Sequence, residues 1–203
     1  RKGLILFVLW YLRFFAKLQL KKIKPLIIGV GGASGKTSLS NFIYIIFSKK
    51  YKVRQGRGKN SETGIPLDIL KLNIKNYTYS EWLKALMLAP LRVLLDFEKF
   101  DVYIAEMGID SPVEPKNMSY LLKIIQPKIG VLTNISFEHS VYFDPLVEEE
   151  NFLQREADIL KLTAKQEGML LKSIGKDGTA VLNIDDANIA KIKNELRCQI
   201  LTV

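Results

Sequence analysis

Apolar residues recur along the chain in two patterns, short continuous runs and longer stretches with helical spacing. The short runs favour strands buried on both faces, and they lie at residues 26–30, 101–105, 129–135, 179–184 and 199–203. A second strand is predicted at residues 52–55, which are mostly polar. The longer stretches favour helices, and they lie at residues 37–49, 66–72, 79–95, 118–125, 152–174 and 187–196. Pro90 predicts a bend in the third of these helices. Because strands alternate with helices, the pattern predicts a three-layer α/β domain with a mostly parallel sheet.

A basic and apolar segment, residues 1–24, precedes the first predicted strand. Residues 3–12 are an unbroken apolar run, and Arg13 and Lys17 interrupt the apolar character that continues to residue 20. The pattern predicts a helix that lies in a membrane interface, with aromatic side chains such as Trp10 and Tyr11 buried and the cations near anionic headgroups. A truncated membrane-spanning helix and a helix packed on the domain itself are the alternatives.

Charge is distributed unevenly along the sequence. Seven basic residues and no acidic residue lie in residues 1–24, which leaves only +2 of the net charge of +9 for the rest of the chain. Because the basic residues are concentrated in one short segment, the charge argues against a surface that coats nucleic acid, and we expect no nucleic-acid partner. Cys198 is the only cysteine, which excludes an internal disulfide and fits the cytoplasm. We therefore expect a cytoplasmic protein at the inner face of the plasma membrane.

A glycine-rich loop, GGASGKTS at residues 31–38, lies between the first predicted strand and the helix that follows it. Glycines let backbone N–H groups turn toward phosphate oxygens, and a helix N-terminus adds partial positive charge. Lys36 supplies a full charge to the outer phosphates of ATP, and Thr37 supplies a hydroxyl to Mg²⁺. The loop predicts a P-loop NTPase-like domain over residues 25–203. Its nucleotide-binding residues would be Gly32, Ala33, Ser34, Gly35, Lys36, Thr37 and Ser38.

The glycine-rich loop departs from the common phosphate-loop pattern, because Val30 stands where that pattern has glycine. It fits a shorter form, G-x-x-G-K-T-[ST], counted from Gly32. Five further motifs follow in order: NSETGIPL at 60–67, EMG at 106–108, PKIGVLTNI at 127–135 with His139 after it, AKQE at 164–167 and AVLNIDD at 180–186. In this order the motifs resemble those of the Mur ligase family, and most closely its members that add D-alanyl-D-alanine to the cell-wall precursor.

The resemblance implies an ATP-dependent amide-bond ligase of peptidoglycan precursor synthesis that works through an acyl phosphate. Its substrates would be ATP, a UDP-MurNAc-peptide-like acid, and D-Ala-D-Ala or another amine. Two Mg²⁺ ions are expected, with Thr37, Glu106, His139 and a carbamylated Lys165 as ligands. Lys36, His139 and Lys165 would take part in catalysis. Asn134 would bind the nucleotide, and Asn60 and Glu62 would contact substrate.

Several of these assignments have alternatives in the sequence. Lys165 follows His139 by 26 residues, more than the family spacing, which indicates an insertion within residues 144–156 that contains three consecutive glutamates. Lys161 is the competing lysine. Asn60 and Glu62 also suit a cap of the turn before Pro66. The two aspartates at 185 and 186 suit either support of the nucleotide or a turn after the strand.

The resemblance also implies parts that these 203 residues do not contain. The family's domain for the uridine nucleotide, its adenine-binding motif and its C-terminal domain would lie outside the sequence, so we expect a truncated central domain that is inactive alone. A membrane-attached poly-γ-glutamate or cyanophycin-type ligase of the same superfamily is one alternative. A non-catalytic nucleotide-binding module is the other.

Overall fold

The computed structural model describes residues 2–137, 140–149 and 151–203 of the chain. Within these ranges six strands form one sheet in the order β2-β3-β1-β4-β5-β6, and every neighbouring pair is parallel. The strands are β1 (Leu26–Gly31), β2 (Val53–Gln55), β3 (Val102–Glu106), β4 (Ile129–Leu132), β5 (Thr179–Leu182) and β6 (Gln199–Thr202). The predicted α/β class with a mostly parallel sheet is confirmed.

Helices cover both faces of this sheet. They are α1 (Lys2–Ile23), α2 (Lys36–Phe47), α3 (Gly64–Ile69), α4 (Tyr79–Leu95), α5 (Met118–Ile124), α6 (Phe152–Lys172) and α7 (Ala187–Ile192). Short 3-10 turns lie at Ser140–Tyr142, Asp144–Leu146 and Lys193–Glu195. Successive residues of a strand point to opposite faces. Ile28 and Ile104 accordingly pack against α2, while Ile27 and Tyr103 join the core under α1 and α3 to α6.

Two element boundaries differ from the sequence prediction, one because of side-chain hydrogen bonds and one because of a backbone conformation. The strand predicted to continue to residue 135 ends at Leu132, because Thr133 and Asn134 turn to hydrogen-bond the glycine-rich loop. The helix predicted at 66–72 ends at Ile69, since Lys71 has a positive φ of 54° that an α-helix cannot continue through. α4 is continuous through Pro90.

One face of α1 packs on the domain. Leu9, Leu12, Ala16 and Leu20, spaced by three or four residues, are buried in the same core as α3, α4 and α5. The Tyr11 hydroxyl donates to the Leu86 carbonyl oxygen at 3.0 Å. The helix is long and apolar enough, by length and composition, to span a bilayer, but 28% of an 18-residue apolar window within Gly3–Ile23 is buried inside the protein.

The packing of α1 corrects part of the sequence expectation. Tyr11, expected to be buried in lipid, is half-buried against the domain core, and Phe15 packs there too. Trp10 and Phe14 are exposed on the opposite side of the helix. One face of α1 is therefore packed on the domain, as one of the two alternatives predicted. The opposite face of the helix carries exposed aromatic residues.

Replacing Leu12 with alanine is expected to lower the free energy of unfolding by about 2–5 kcal/mol, because Leu12 is fully buried and the change leaves a cavity. Urea denaturation measures this loss. Leu4→Ala is the matched control, since Leu4 is 67% exposed and its change is expected to stay within about 0.5 kcal/mol. Equal stabilities of the two variants would contradict the docked position of α1.

Candidate active site

Three polar segments meet at the carboxyl ends of β1, β3 and β4. β1 lies between β3 and β4 in the sheet, so the loop at residues 31–38 has one of these strands on each side. The chain leaves β1 toward β3 and β2, and the later strands β4 to β6 continue on the other side. Ligands of such sheets bind at this point, beyond the strand ends, where the strand order reverses.

The glycine-rich loop requires glycine at two of its positions. Gly32 has φ +115°, and a Cβ atom there would lie 2.2 Å from Thr133 Oγ1, which no side chain tolerates. Gly35 has φ +80° and is the N-cap of α2, where no side chain forms a capping hydrogen bond in the described structure. The N–H groups of the first turn of α2 are thus left for another acceptor, and a helix N-terminus favours an anion.

Residues after β4 hold the loop in place. Thr133 Oγ1 donates to the Ser34 carbonyl oxygen at 2.7 Å. Asn134 Oδ1 accepts from the Ser34 N–H at 2.9 Å, and its Nδ2 donates to Ser34 Oγ at 2.7 Å. Asn134, predicted to bind the nucleotide, therefore has both polar atoms of its side chain on the loop. Its observed contacts set the shape of the loop.

The Lys36 ammonium group lies over the loop. Its Nζ donates to the carbonyl oxygens of Gly32 and, at 2.6 Å, of Ala33. The side chain is half-buried, whereas Ser34, Thr37 and Ser38 are exposed. The loop thus presents a cation, hydroxyl groups and helix N–H groups together, the donor set that a polyphosphate requires.

Thr37 and Glu106 meet across the loop. Thr37 Oγ1 donates to Glu106 Oε2 at 2.9 Å. Glu106 ends β3 and is 2% exposed, and its Oε1 is buried without a hydrogen-bond partner among the described residues. Burial of an ionised carboxylate oxygen without a partner is costly, and a bound cation would remove that cost. Hydroxyl and carboxylate oxygens are ligands that Mg²⁺ prefers, so these two residues fit a magnesium ion.

The two predicted substrate residues have different surroundings. The Gly108 N–H donates to the Asn60 carbonyl oxygen at 3.1 Å, and a Cβ on Gly108 would lie 2.9 Å from Asn60 Nδ2. The Asn60 side chain therefore lies against the residues that follow Glu106. Glu62 is half-buried on the side of Tyr120, where burial raises the pKa of the Tyr120 hydroxyl and Glu62 adds to that shift.

Glu167, a residue with no predicted role, is a buried carboxylate that lies under the glycine-rich loop. It is 4% exposed, and its Oε2 accepts from the Gly32 N–H at 3.1 Å. Burial raises the pKa of its carboxyl group to about 7, although Lys36 and the Gly32 N–H favour the charged form. Two sequence features mark it: it is the last residue of the AKQE motif, and helical spacing places it with Thr163 and Leu170 on the buried face of α6.

Lys165 faces a different part of the surface from Glu167. Residues two apart on a helix are separated by about 200°, and Lys165 is exposed while Glu167 faces the loop. Lys165 lines an open cleft of about 870 Å³ with Glu148, Glu149 and Asp158. Lys161 lines the same cleft and binds Asp158 at 2.7 Å. His139, predicted as catalytic residue and metal ligand, lies outside the described residues.

The segment after β5 begins with a turn formed by Asn183, whose Oδ1 accepts from the Asp185 N–H at 3.1 Å. Asp186 caps α7 through the Asn188 N–H at 2.8 Å, and its other oxygen accepts from the Ile135 N–H at 2.7 Å. Asp186 thus ties the start of α7 to the segment that holds the loop.

Comparison of the chain with known protein families identifies the family to which it belongs. A family model described as the Mur ligase middle domain matches residues 30–203. The chain belongs to the Mur ligase family. That match covers most of the chain and confirms the resemblance drawn from the six motifs.

Curated relatives of this Mur ligase domain are longer proteins. The UDP-N-acetylmuramoyl-tripeptide--D-alanyl-D-alanine ligase of Borreliella burgdorferi is 28% identical over 140 residues, which are 68% of this chain and 24% of that protein. The protein of the same name from Bacillus subtilis is 24% identical over 161 residues, 79% of this chain and 28% of that protein. The Mur ligase domain described here thus spans about a quarter of the length of these relatives.

Solved structures show the same fold. MurF from Thermotoga maritima, in complex with ADP, has a TM-score of 0.65 at 21% identity, covering 94% of this chain and 36% of that one. MurF from Acinetobacter baumannii has a TM-score of 0.65 at 18% identity, covering 93% and 33%. The sheet and helices of this Mur ligase domain are therefore those of the solved family members.

Glu167 is expected to make the stability of the Mur ligase domain depend on pH. Its pKa rises from an ordinary value of 4.5 to about 7 on folding, so the folded state binds the proton more tightly than the unfolded state does. Stability is then highest below pH 4.5 and falls as the pH rises to 7, by at most about 3 kcal/mol.

Urea denaturation of the wild type and of Glu167→Gln between pH 4.5 and 7 measures this effect. The glutamine keeps an acceptor for the Gly32 N–H but has no proton to lose, so the variant is expected to lack this part of the pH dependence. Parallel stability curves for the two proteins would contradict the buried, shifted carboxyl group.

Proposed function

We propose that the chain is the ATP-binding module of an ATP-dependent amide-bond ligase that acts in peptidoglycan precursor synthesis. The observation that carries this proposal is the contact between Thr37 and the buried Glu106, beside a glycine-rich loop that ends in Lys36 and the N-terminus of α2. These groups together supply the donors for a triphosphate and the oxygen ligands for its metal ion.

In the proposed reaction, Lys36 and the loop N–H groups hold the β- and γ-phosphates in line for transfer. Thr37 and Glu106 hold Mg²⁺, which when bound neutralises charge on the phosphate oxygens. A carboxylate oxygen of the acid substrate attacks the γ-phosphorus, ADP leaves, and the acyl phosphate forms. The amine substrate then attacks the acyl carbon, phosphate leaves with the bonding electrons, and the amine gives up a proton. Positioning and charge neutralisation are the protein's main contributions.

The remaining site residues are part of the same proposal. His139 and a carbamate on Lys165 would hold a second Mg²⁺, and Asn60 and Glu62 would contact the acid substrate. The position of Asn60 against Gly108 supports its role. Lys161 is a matched control for Lys165, because it lies one helical turn away on the same cleft. In the protein at its full natural length, Lys165→Gln should lower turnover and Lys161→Gln should not; the reverse result would assign the metal-site lysine to Lys161.

The curated relatives support a choice of substrates, because their name specifies a UDP-N-acetylmuramoyl-tripeptide and D-alanyl-D-alanine. We propose the same acid and amine for this protein, in the cytoplasm, where ATP is available. Release of ADP by the protein at its full natural length tests the assignment, with UDP-MurNAc-tripeptide and D-Ala-D-Ala as substrates. We expect the 203-residue chain to bind ATP without sustained turnover, and robust ADP release by that chain would contradict the truncated-domain interpretation.

A polymerising ligase of the same superfamily is the second candidate, and the exposed apolar and basic face of α1 favours it. The same ADP-release assay separates the two when it is run with glutamate and its γ-linked polymer, or with a cyanophycin primer and aspartate or arginine. ADP release with these substrates alone would replace the cell-wall assignment. ATP binding without ADP release on any pair would favour a non-catalytic module.

A further inference from the structure

Two adjacent helices expose apolar side chains on one side of the molecule. α1 and α4 run side by side, as the hydrogen bonds from Tyr11 to Leu86 and from Lys22 to Val93 show. The outward residues of the two helices, which we call the α1–α4 face, flank this line of contact. Its large apolar members are Phe7, Trp10 and Phe14 of α1 and Leu83, Met87, Leu91 and Leu94 of α4, all exposed.

The outward stripe of α1 changes from aromatic to cationic along its length. Phe7, Trp10 and Phe14 recur at intervals of three and four residues, and Lys17 and Lys21 continue the same stripe. The aromatic rings contact one another, with centroids 6.0 Å apart for Phe7 and Trp10 and 5.8 Å apart for Trp10 and Phe14. They therefore form one continuous apolar ridge that faces away from the domain, about half exposed at each residue.

The charge of the face has one sign. Residues 1–24 contain no acidic residue, and Lys17, Lys21 and Lys24 are exposed. The outward residues of α4, Leu83, Met87, Leu91 and Leu94, are uncharged. The one carboxylate of that helix, Glu81, is held in the capping box with Thr78. A symmetric contact with a second copy would bring the three lysines against one another, which is destabilising. Anionic headgroups over an apolar layer match both the charge and the apolar ridge.

The buried side of α1 decides between lying on a membrane and spanning it. Leu9, Leu12 and Ala16 are at most 2% exposed and pack in the domain core. A spanning helix would have to remove these side chains from the core, whereas a helix at the interface keeps them there and inserts the opposite side. Trp and Phe are suited to that position, because aromatic rings accumulate where apolar tails meet headgroups.

We propose that the α1–α4 face docks on a lipid bilayer rich in anionic headgroups, with Phe7, Trp10 and Phe14 inserted and Lys17 and Lys21 at the level of the phosphates. The domain then lies on the membrane surface as a peripheral protein. This inference is independent of the ligase assignment, since none of the residues of the candidate active site belongs to the face.

Sedimentation with vesicles tests the proposal. The chain should bind vesicles of phosphatidylcholine mixed with phosphatidylglycerol, bind phosphatidylcholine alone weakly, and lose affinity as salt is raised. Trp10→Ser/Phe14→Ser and Lys17→Glu/Lys21→Glu should each weaken binding at least about tenfold. The matched controls, which we call the α2 controls, are Phe42→Ser on α2 and Lys49→Glu/Lys50→Glu just beyond its end; they change exposed residues and should bind like the wild type.

Three outcomes would overturn the proposal. The first is that the chain fails to bind vesicles, and the second is that the α1 variants bind them as well as the α2 controls do. The third is that light scattering shows a dimer that the Trp10→Ser/Phe14→Ser change dissociates. Because all the substituted residues are exposed, their urea denaturation should match that of the wild type, which separates a loss of binding from a loss of folding.

The depth of Trp10 gives a second test. In a Trp82→Phe background, lipids that carry a quencher near the headgroup should quench the Trp10 fluorescence more than lipids that carry it near the tail end. Strongest quenching from the bilayer centre would instead assign α1 as a spanning helix and overturn the peripheral arrangement.

Discussion

Replacing Lys36 with alanine is expected to lower the affinity of the chain for Mg²⁺-ATP by roughly 30-fold to several-thousand-fold. The Lys36 ammonium group lies over the glycine-rich loop beside the N-terminus of α2, so its loss leaves phosphate charge without its cationic partner. Removal of one member of a hydrogen-bonded charge pair typically costs about 2–5 kcal/mol, which corresponds to that range. Isothermal titration calorimetry with ATP and excess Mg²⁺ measures the change.

Lys49→Ala is the control for Lys36→Ala. Lys49 is an exposed lysine just beyond the end of α2, so its removal takes the same charge from the protein without touching the loop. The control should bind Mg²⁺-ATP like the wild type. Equal affinities for all three proteins would show that the loop does not hold the phosphates.

Replacing Glu106 with glutamine is expected to remove the effect of Mg²⁺ on ATP binding without lowering the free energy of unfolding. Glutamine keeps an acceptor for the Thr37 hydroxyl but loses the charge of the buried, partner-free Oε1. The affinity for ATP in the presence of Mg²⁺ should fall by about 10- to 100-fold or more. Replacing a residue that only hydrogen-bonds to a metal ligand already has an effect of that size. Stability should be equal or higher, since a buried carboxylate charge is costly.

Calorimetry with ATP, with and without Mg²⁺, and urea denaturation of the same protein measure both effects. Asp177→Asn is the control, because Asp177 is an exposed carboxylate that pairs with Lys128 far along the surface. A Glu106→Gln protein that unfolds more easily yet keeps its response to Mg²⁺ would show that Glu106 has a structural role only.

The fold was predictable because its main signals are local. Apolar runs alternate with helical periods, and the glycine-rich loop is a continuous segment, so the sheet, the helices and the loop could be placed from short stretches of sequence. The ends of elements were less predictable. The strand at β4 stops at Leu132 because Thr133 binds a loop about 100 residues earlier, a contact that no local pattern contains.

α1 shows where local patterns fail. Its residues are apolar on most sides, so the sequence favoured a membrane contact but did not show which side packs on the domain. The structure divides the helix: Leu12 and Ala16 face the core, and Trp10 and Phe14 face outward. That division depends on α3, α4 and α5, which come later in the chain.

The site was predicted in part for the same reason. Lys36, Thr37 and Glu106 follow buried strands, and parallel strands bring their carboxyl ends together, so their proximity could be expected. The role of Glu167 could not, because it reaches Gly32 across 135 residues of sequence. The direction of Lys165, toward the cleft beside Glu148, likewise depends on the packing of α6.

The most direct test of the central claim is paramagnetic broadening of the amide signals of the ¹⁵N-labelled chain by Mn²⁺-ATP, compared with Mg²⁺-ATP. Mn²⁺ shares the oxygen-ligand preference of Mg²⁺ and broadens nearby signals. The account predicts that signals of residues 33–38 and 106–108 disappear with Mn²⁺-ATP, and that Glu106→Gln restores them. Broadening centred on the cleft of Glu148, Glu149 and Lys165, with residues 33–38 unaffected, would contradict it.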